Sequence, residues 1–317
     1  MGQHLPLISV IMPAYNCEDY VREAINCVLN QSYGNIELII ANDCSTDKTQ
    51  QVIDSVHDAR IRKFTNETNL GYLKTWNKHV PLATGSFITF LDADDSCALN
   101  RIELLYKAFA EDTELGICGS NYIRINDAGA ESLRSDFKLD HDAVFDAMPD
   151  KYEFIGSAVM IRREVIERVG LYHEFFDRIG SEDHYWLYLA IEKFKYRNLK
   201  EHLYFYRFNE NSVMGNLASN PSKLHSGQIV KLLIEQRRET GSDYLQQGKD
   251  AELKGILDEM NRPFLDNAYF HWFVGRQRFY EGKHIQGLRL LRKAIIKAPW
   301  RLNYYRDYLY FFRASNK

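Results

Sequence analysis

The chain reads as an α/β protein, a sheet covered on both faces by helices and followed by a helical C-terminal region. Three observations predict this. Short continuous apolar runs alternate with segments of helical periodicity through the first third. Polar and acidic residues cluster directly after those runs, where open α/β sheets bind their ligands. The pattern becomes wholly helical after Asn209-Glu210-Asn211-Ser212.

Taken in order, Leu7 to Met12 is an apolar, β-branched run that ends at Pro13. Tyr20 to Leu29 sets Val21, Ala24, Ile25 and Val28 at helical spacing. Ile36 to Ala41 predicts a buried strand, Thr49 to Val56 a helix, Ile61 to Phe64 a weaker strand and Tyr72 to Leu82 a helix. Phe87 to Leu91 predicts the next strand, and Ile102 to Phe109 a helix. Ile117 to Ile125 and Phe154 to Ile161 read as strands, with a short helix from Glu164. His184 to Phe194 reads as a helix and Leu203 to Phe208 as a strand. The expected domains are 1–215 and 216–317, the second with helices around Ile229 to Ile234, Phe264 to Tyr280 and Leu288 to Ile295. The stretch Gly275 to Pro299 loosely resembles one tetratricopeptide-type hairpin, which as a single copy reads as part of an appended helical region.

Composition excludes several classes. The 317 residues suffice for a large core, and 40 basic against 43 acidic residues argue against a nucleic-acid binder. The five cysteines form no C-x-x-C pair, which predicts a reducing compartment. Met1-Gly2-Gln3-His4 begins without a basic, apolar leader, and the longest apolar runs are strand-sized. The expectation is a cytoplasmic protein, or one peripheral on the inner face of a membrane.

Chemistry concentrates at strand ends. Asp92-Ala93-Asp94-Asp95 follows the strand at Phe87. Carboxylates there suit a hard divalent cation, while Asp95 or Ser96 would equally serve to cap a following helix. In Asn42-Asp43-Cys44-Ser45-Thr46-Asp47, Asp43 is placed to accept from a base or ribose, and Asp47 reads as a helix cap. Pro13-Ala14-Tyr15-Asn16 reaches the same edge, as a nucleotide contact or an ordinary turn.

The ordered set of these motifs with Asn69-Leu70-Gly71, Gly85, Gly156, Glu182-Asp183 and Tyr206-Arg207 ahead of Asn211-Ser212 resembles family 2 glycosyltransferases over about residues 7 to 213. The resemblance implies a GT-A fold, a Rossmann-like nucleotide-sugar-binding sheet domain. It implies inverting transfer from a nucleotide-sugar, UDP-linked, to a hydroxyl of a glycan or lipid-linked glycan in polysaccharide, lipopolysaccharide or glycolipid synthesis. By position Asp43, Tyr15 and the Pro13-Ala14 backbone would bind the base, and Asp92 ribose or metal-bound water. Asp94 would ligate Mn²⁺ or Mg²⁺, and Asp183 would be the catalytic base. Gly156, Glu182 and Arg207 are candidates for the acceptor side, Arg207 reaching phosphate or acceptor through a flexible loop or else packing on the core side. Glu182-Asp183 read without those motifs would be two first-turn acids favoured by a helix dipole.

Trp76-Asn77 stands where many relatives carry Arg-Asn, so an arginine–phosphate contact is absent or supplied elsewhere. Cys44 replaces a commoner glycine, which predicts a less extreme backbone angle there. Between Lys283 and Arg313 six further cations interleave with aromatics and Asp307 is the lone acid. That pattern fits peripheral membrane attachment, a homo-oligomer interface or a solvated helix face. Two rival functions share parts of this layout, a sugar-phosphate nucleotidyltransferase and a non-catalytic glycan-binding protein. The first lacks its Gly-rich basic loop at Pro13-Ala14-Tyr15-Asn16, and the intact carboxylates count against the second.

Overall fold

The computed structural model describes residues 5–208, 220–280 and 282–315. The boundary expected near residue 215 and the Asn211-Ser212 pair lie outside these residues. The described chain divides into two compact units, 5–208 with 230–241, and 220–229 with 242–315.

The elements of the first unit, in chain order, are β1 (Ile8–Ala14), α1 (Val21–Leu29), β2 (Ile36–Asn42), α2 (Thr49–Ser55), β3 (Ile61–Thr65), α3 (Tyr72–His79), β4 (Phe87–Phe90) and β5 (Ser96–Cys97). They continue with α4 (Arg101–Glu111), β6 (Leu115–Ile125), β7 (Glu131–Arg134), α5 (His141–Ala147), β8 (Met160–Arg162), α6 (Arg163–Val169), α7 (Glu182–Ile191) and β9 (Lys195–Arg207). α8 (Ser226–Thr240) begins in the second unit and belongs to the first from Val230 onward. The rest of the second unit is helical: α9 (Asp250–Asn261), α10 (Asn267–Tyr280), α11 (His284–Lys297) and α12 (Leu302–Ser315).

The sheet runs β3-β2-β1-β4-β8-β6-β9-β5, with β7 on β6. β1, β2, β3 and β4 are parallel, as their unbroken apolar runs predict; all seven residues of β2 are buried. The remainder is mixed, because β8 runs antiparallel to both β4 and β6. The parallel strands are those of the first third, and the reversal enters with the less regular middle of the chain. Register fixes the rim. Ala14 lies opposite Asn42 and Ile11 opposite Phe90, so the loops that open with Tyr15, Asp43 and Leu91-Asp92 leave one edge together. Asp43 N–H donates to the Ala14 carbonyl at 2.8 Å, and Leu91 N–H to that of Ile11 at 3.1 Å, which carries the ladder into the loops.

At the opposite end, Glu37 anchors a buried polar knot. It accepts from Ser9 Oγ at 2.6 Å, from Thr84 N–H and Oγ1 at 2.6 Å each, and from Arg62 at 2.9 Å. Gly85 abuts this knot. A Cβ there would lie 2.5 Å from the Leu7 carbonyl oxygen, so no side chain fits.

Two expectations fail in instructive ways. Phe154 to Ile161 is not a strand over its length; Gly156–Ala158 is a 3₁₀ turn and only Met160–Arg162 pairs. The Ser157 carbonyl is taken by Arg101 and that of Val159 by Thr89 Oγ1, so the backbone of this segment bonds to side chains rather than to a ladder. Asp95 and Ser96 do not cap α4, which starts at Arg101 after Asn100. Ser96-Cys97 instead pair with Phe205 and Tyr204 of β9.

In the second unit α10 and α11 cross closely at two glycines. A Cβ on Gly287 would lie 2.7 Å from the Gly275 carbonyl oxygen. Phe279, Leu291 and Phe311 then form one small core, and Ala268, Ala294, Ala298 and Tyr304 another. Among the described residues no helix is long and apolar enough to cross a membrane, and all five cysteines are free thiols.

Candidate active site

The rim is built by two clipped loops. Asn16, at φ 47°, accepts from Thr46 N–H at 2.8 Å, while its own N–H donates to Ser45 Oγ at 3.0 Å. Asp47 accepts from Thr49 N–H at 2.9 Å at the start of α2, the capping role its position predicts. Cys44 has φ 59°, a left-handed conformation within the small region that residues other than glycine reach. Tyr15 stands half-exposed beside buried Ala14 and part-buried Pro13.

Asp43 is 4% exposed. Its carboxylate accepts from Asn66 Nδ2 at 2.8 Å, Leu70 N–H at 2.9 Å and Gly71 N–H at 2.8 Å. Burial alone would raise its pKa, but these donors outweigh that and hold it below the ordinary value. The side chain thus organises the Asn69-Leu70-Gly71 turn, in which Gly71 takes φ 87°.

Beyond β4 the acids crowd. Burial, then the charges of Asp94 and Asp183, push Asp92 up to about 7, against hydrogen bonds from Ser157 and Tyr72. Burial also raises Asp94. Asp95 is raised by burial and by both neighbours, although it accepts from Tyr204 Oη at 2.6 Å and Arg207 N–H at 2.7 Å. Asp183 and Glu182 open α7 after Ser181, which has φ 66°. Burial raises Asp183 against backbone N–H donors that include Gly156. Burial and the Asp183 charge lift Glu182 to about 7, with smaller contributions from Asp177 and Asp92. A Cβ on Gly156 would sit 2.7 Å from Asp183 Oδ2, so this glycine lies directly against that carboxylate. The fold therefore gathers Asp92, Asp94, Gly156, Glu182 and Asp183. Asp43 lies two strands away on the same rim, roughly 10 Å along the sheet.

Arg207 takes the core-side place rather than the ligand-side one. It is 5% exposed, and its guanidinium donates to the carbonyls of Asp94 (2.9 Å), Asn126 (3.2 Å) and Asp127 (3.2 Å) and to Glu23 (2.8 Å). It braces the Asp94 backbone and leaves little to offer a ligand.

Sequence reasoning missed the aromatic wall. Tyr72 and Ser157 bond Asp92, and Tyr204 bonds Asp95. Each adjoins a motif residue, Tyr72 after Gly71, Ser157 after Gly156 and Tyr204 two before Tyr206, and that adjacency was the available signal. Trp76 stacks on Tyr172 at 3.9 Å, and Asn77 grips the Tyr172 backbone on both sides at 2.8 and 3.0 Å. The Trp-Asn pair thus fixes Tyr172, which feels the charges of Asp183, Glu182 and Asp92.

This arrangement of carboxylates can hold a cation, with the part-buried Asp183 close by. Comparison with known proteins places it. Residues 9–170 match the family described as glycosyl transferase family 2. The Escherichia coli UDP-Glc:alpha-D-GlcNAc-diphosphoundecaprenol beta-1,3-glucosyltransferase WfaP is 30% identical over 220 residues, 67% of this chain and 81% of that one. An uncharacterized glycosyltransferase of Haemophilus influenzae is 45% identical over 102 residues, 32% of this chain and only 41% of its own length. Among solved structures, Staphylococcus aureus TarS 1-349 in complex with UDP-GlcNAc aligns over 93% of this chain and 82% of that one, at TM-score 0.61 and 20% identity. The Pyrobaculum calidifontis mannosyltransferase PcManGT, in complex with GDP-Man and Mn²⁺, aligns over 80% of this chain and 70% of that one, at TM-score 0.55 and 15% identity. These likenesses bear out the GT-A-type sheet with a helical C-terminal region. A sheet rim lined with acids, a family match over about half the sequence and a relative aligned over most of its own length lead to one conclusion: this chain is a glycosyltransferase of family 2.

Proposed function

We propose that the enzyme transfers a sugar, with inversion, from a UDP-sugar to a hydroxyl of a lipid-linked glycan at the cytoplasmic side of a membrane. The observation that carries this reading is the electrostatic coupling of Asp92 to both Asp94 and Asp183. It supports a diphosphate-side acid pair and a base candidate acting close together at one rim. The relatives named above that act on UDP-Glc or bind UDP-GlcNAc support the donor class, and the diphosphoundecaprenol-linked substrate of one supports the acceptor.

Mn²⁺ or Mg²⁺ fits the residues present. Burial raises Asp92, Asp94 and Asp95 alike, neighbouring carboxylates raise Asp92 and Asp95 further, and the Arg207 charge offsets part of the rise at Asp94 while its guanidinium is bonded to carbonyls and Glu23. Among the described residues no group of three or more His, Cys, Asp or Glu is placed to hold a metal ion by itself. The proposed cation would be held by one or two carboxylates plus donor phosphates. Asp94 would ligate it, with Asp92 on ribose or a bound water. When bound, the cation supplies neutralisation of the departing diphosphate.

The chain's own residues do the rest. Tyr15 and the Pro13-Ala14 backbone line the base pocket, and Asp43 fixes the turn beside it. Asp183 takes the proton from the acceptor hydroxyl as that oxygen bonds to the anomeric carbon. The bond from that carbon to the diphosphate oxygen breaks on the opposite face, and its electron pair leaves with the diphosphate. One displacement inverts the centre. Glu182, held near neutrality beside Asp183, and Gly156, which leaves room, shape the acceptor side.

The test is transfer with and without EDTA. Chelation should abolish turnover of the wild type and re-addition of Mn²⁺ or Mg²⁺ should restore it, while Asp94→Ala stays at least about 100-fold down at either metal. Full activity in EDTA would refute the metal assignment.

A further inference from the structure

We propose that the outer face of α11 and α12 docks the enzyme on an anionic lipid surface. On α12, Leu302, Tyr305 and Leu309 recur at i, i+3 and i+7 and form one exposed stripe, while Tyr304 and Phe311 on the other face are buried. Arg306 and Arg313 flank that stripe and are also exposed. On α11, Ile285 and Ile296 project beside Arg289, Arg292 and Lys293. The turn between the helices presents Trp300, 74% exposed, next to Leu302, 80% exposed. A groove of ≈ 590 Å³ along α12, lined by Arg306, Leu309, Tyr310 and Arg313, combines cationic edges with apolar walls. That combination fits a phosphate headgroup and its first methylenes.

Most of the charge on these helices lacks an acidic partner among the described residues. Asp307 is the lone acid between Lys283 and Arg313, and its carboxylate is taken by Trp272 Nε1 at 2.9 Å, Arg306 at 3.3 Å and Arg276 at 3.7 Å. Arg289, Arg292, Lys293, Lys297 and Arg313 have no carboxylate partner among the described residues. Such cations gain from anionic headgroups, and an exposed tryptophan amid aliphatic side chains suits the headgroup boundary. A second copy of the chain would set these cations against their equals, which is unfavourable. Nucleic acid would leave the exposed isoleucines and leucines without a counterpart, since its contacts are stacking and phosphate pairing.

Flotation of the full-length chain with vesicles tests this without donor or acceptor, so its outcome is separate from that of the transfer chemistry. Vesicles of equal parts phosphatidylcholine and phosphatidylglycerol should carry the protein, and phosphatidylcholine alone should not. Arg292→Glu/Lys293→Glu should lower partition roughly 10-fold or more. Trp300→Ser/Leu302→Ser should lower it as well, with thermal midpoints unchanged because all four positions are exposed. Either double variant decides alone if the other misfolds. Equal binding to neutral vesicles, no binding by the wild type, or binding unaltered in a folded double variant would overturn the proposal. So would light scattering that shows a dimer lost in Trp300→Ser/Leu302→Ser, or RNA that displaces vesicles from the face.

Discussion

Gly156 touches the group on which the proposed chemistry turns. A methyl there would meet Asp183 Oδ2 at 2.7 Å and its Cβ at 2.8 Å, closer than real Cβ contacts come. The side chain can swing its oxygen away, but its Cβ sits on the first turn of α7 and cannot. Gly156→Ala should therefore shift the carboxylate by a fraction of an ångström to an ångström and lower kcat on the order of 100-fold, with donor affinity within a few-fold. Steady-state kinetics with donor titration checks this, and a kcat within threefold of wild type would mean that Asp183 is not held by this contact. Arg207 shows the same economy from the other side. Its guanidinium fixes the Asp94 carbonyl, Glu23 and the Asn126-Asp127 loop, so a residue that looked from its motif like a ligand contact works as a brace.

At the scale of elements, the parallel strands hold the rim from below, and Glu37 ties their far end. Burial would raise this carboxyl, yet Ser9, Thr84 and Arg62 bring it down to about 2 from 4.5. A carboxylate lowered on folding adds stability that is complete above about pH 4.5 and is lost as pH falls toward 2. The loss should reach about 3 kcal/mol, and Glu37→Gln should remove both that stability at neutral pH and the acid-side slope. Denaturant melts at several pH values read it; a slope unchanged in the variant would contradict the assignment. The elements most legible from the sequence were those whose pattern is their burial. β1, β2 and β4 read as apolar runs, and α1 and α3 as helical stripes. The Gly156–Ala158 turn was not legible, because it sits within an otherwise apolar run while the carbonyls of Ser157 and Val159 are bonded by Arg101 and Thr89 from elsewhere. α5 and α9 also escaped notice. α9 buries only Leu253 and Leu257, so its periodicity is faint. The acids of the site were legible from their place after strands, whereas Tyr72, Ser157 and Tyr204 were not, since an aromatic or a serine beside a motif carries no charge signal of its own.

Across the whole molecule, the family match ends at residue 170, ahead of Glu182-Asp183, and leaves the second unit outside it. The two proposals therefore stand on different parts of the chain. Sugar transfer stands on the sheet rim, and lipid docking on a basic helical face within a chain of net charge −3. They meet only in the nature of the acceptor: a lipid-linked glycan is presented at a surface, and a docked transferase would find it there. The central claim is that Asp183, brought to the Asp92 and Asp94 end of the rim, deprotonates the acceptor. The most direct measurement is single-turnover transfer by Asp183→Asn, with donor affinity titrated in parallel. The rate should fall roughly 10²- to 10⁴-fold while donor affinity stays within a few-fold, since the amide keeps the shape and loses the base. Transfer at the wild-type rate by a folded, donor-binding Asp183→Asn would contradict the account.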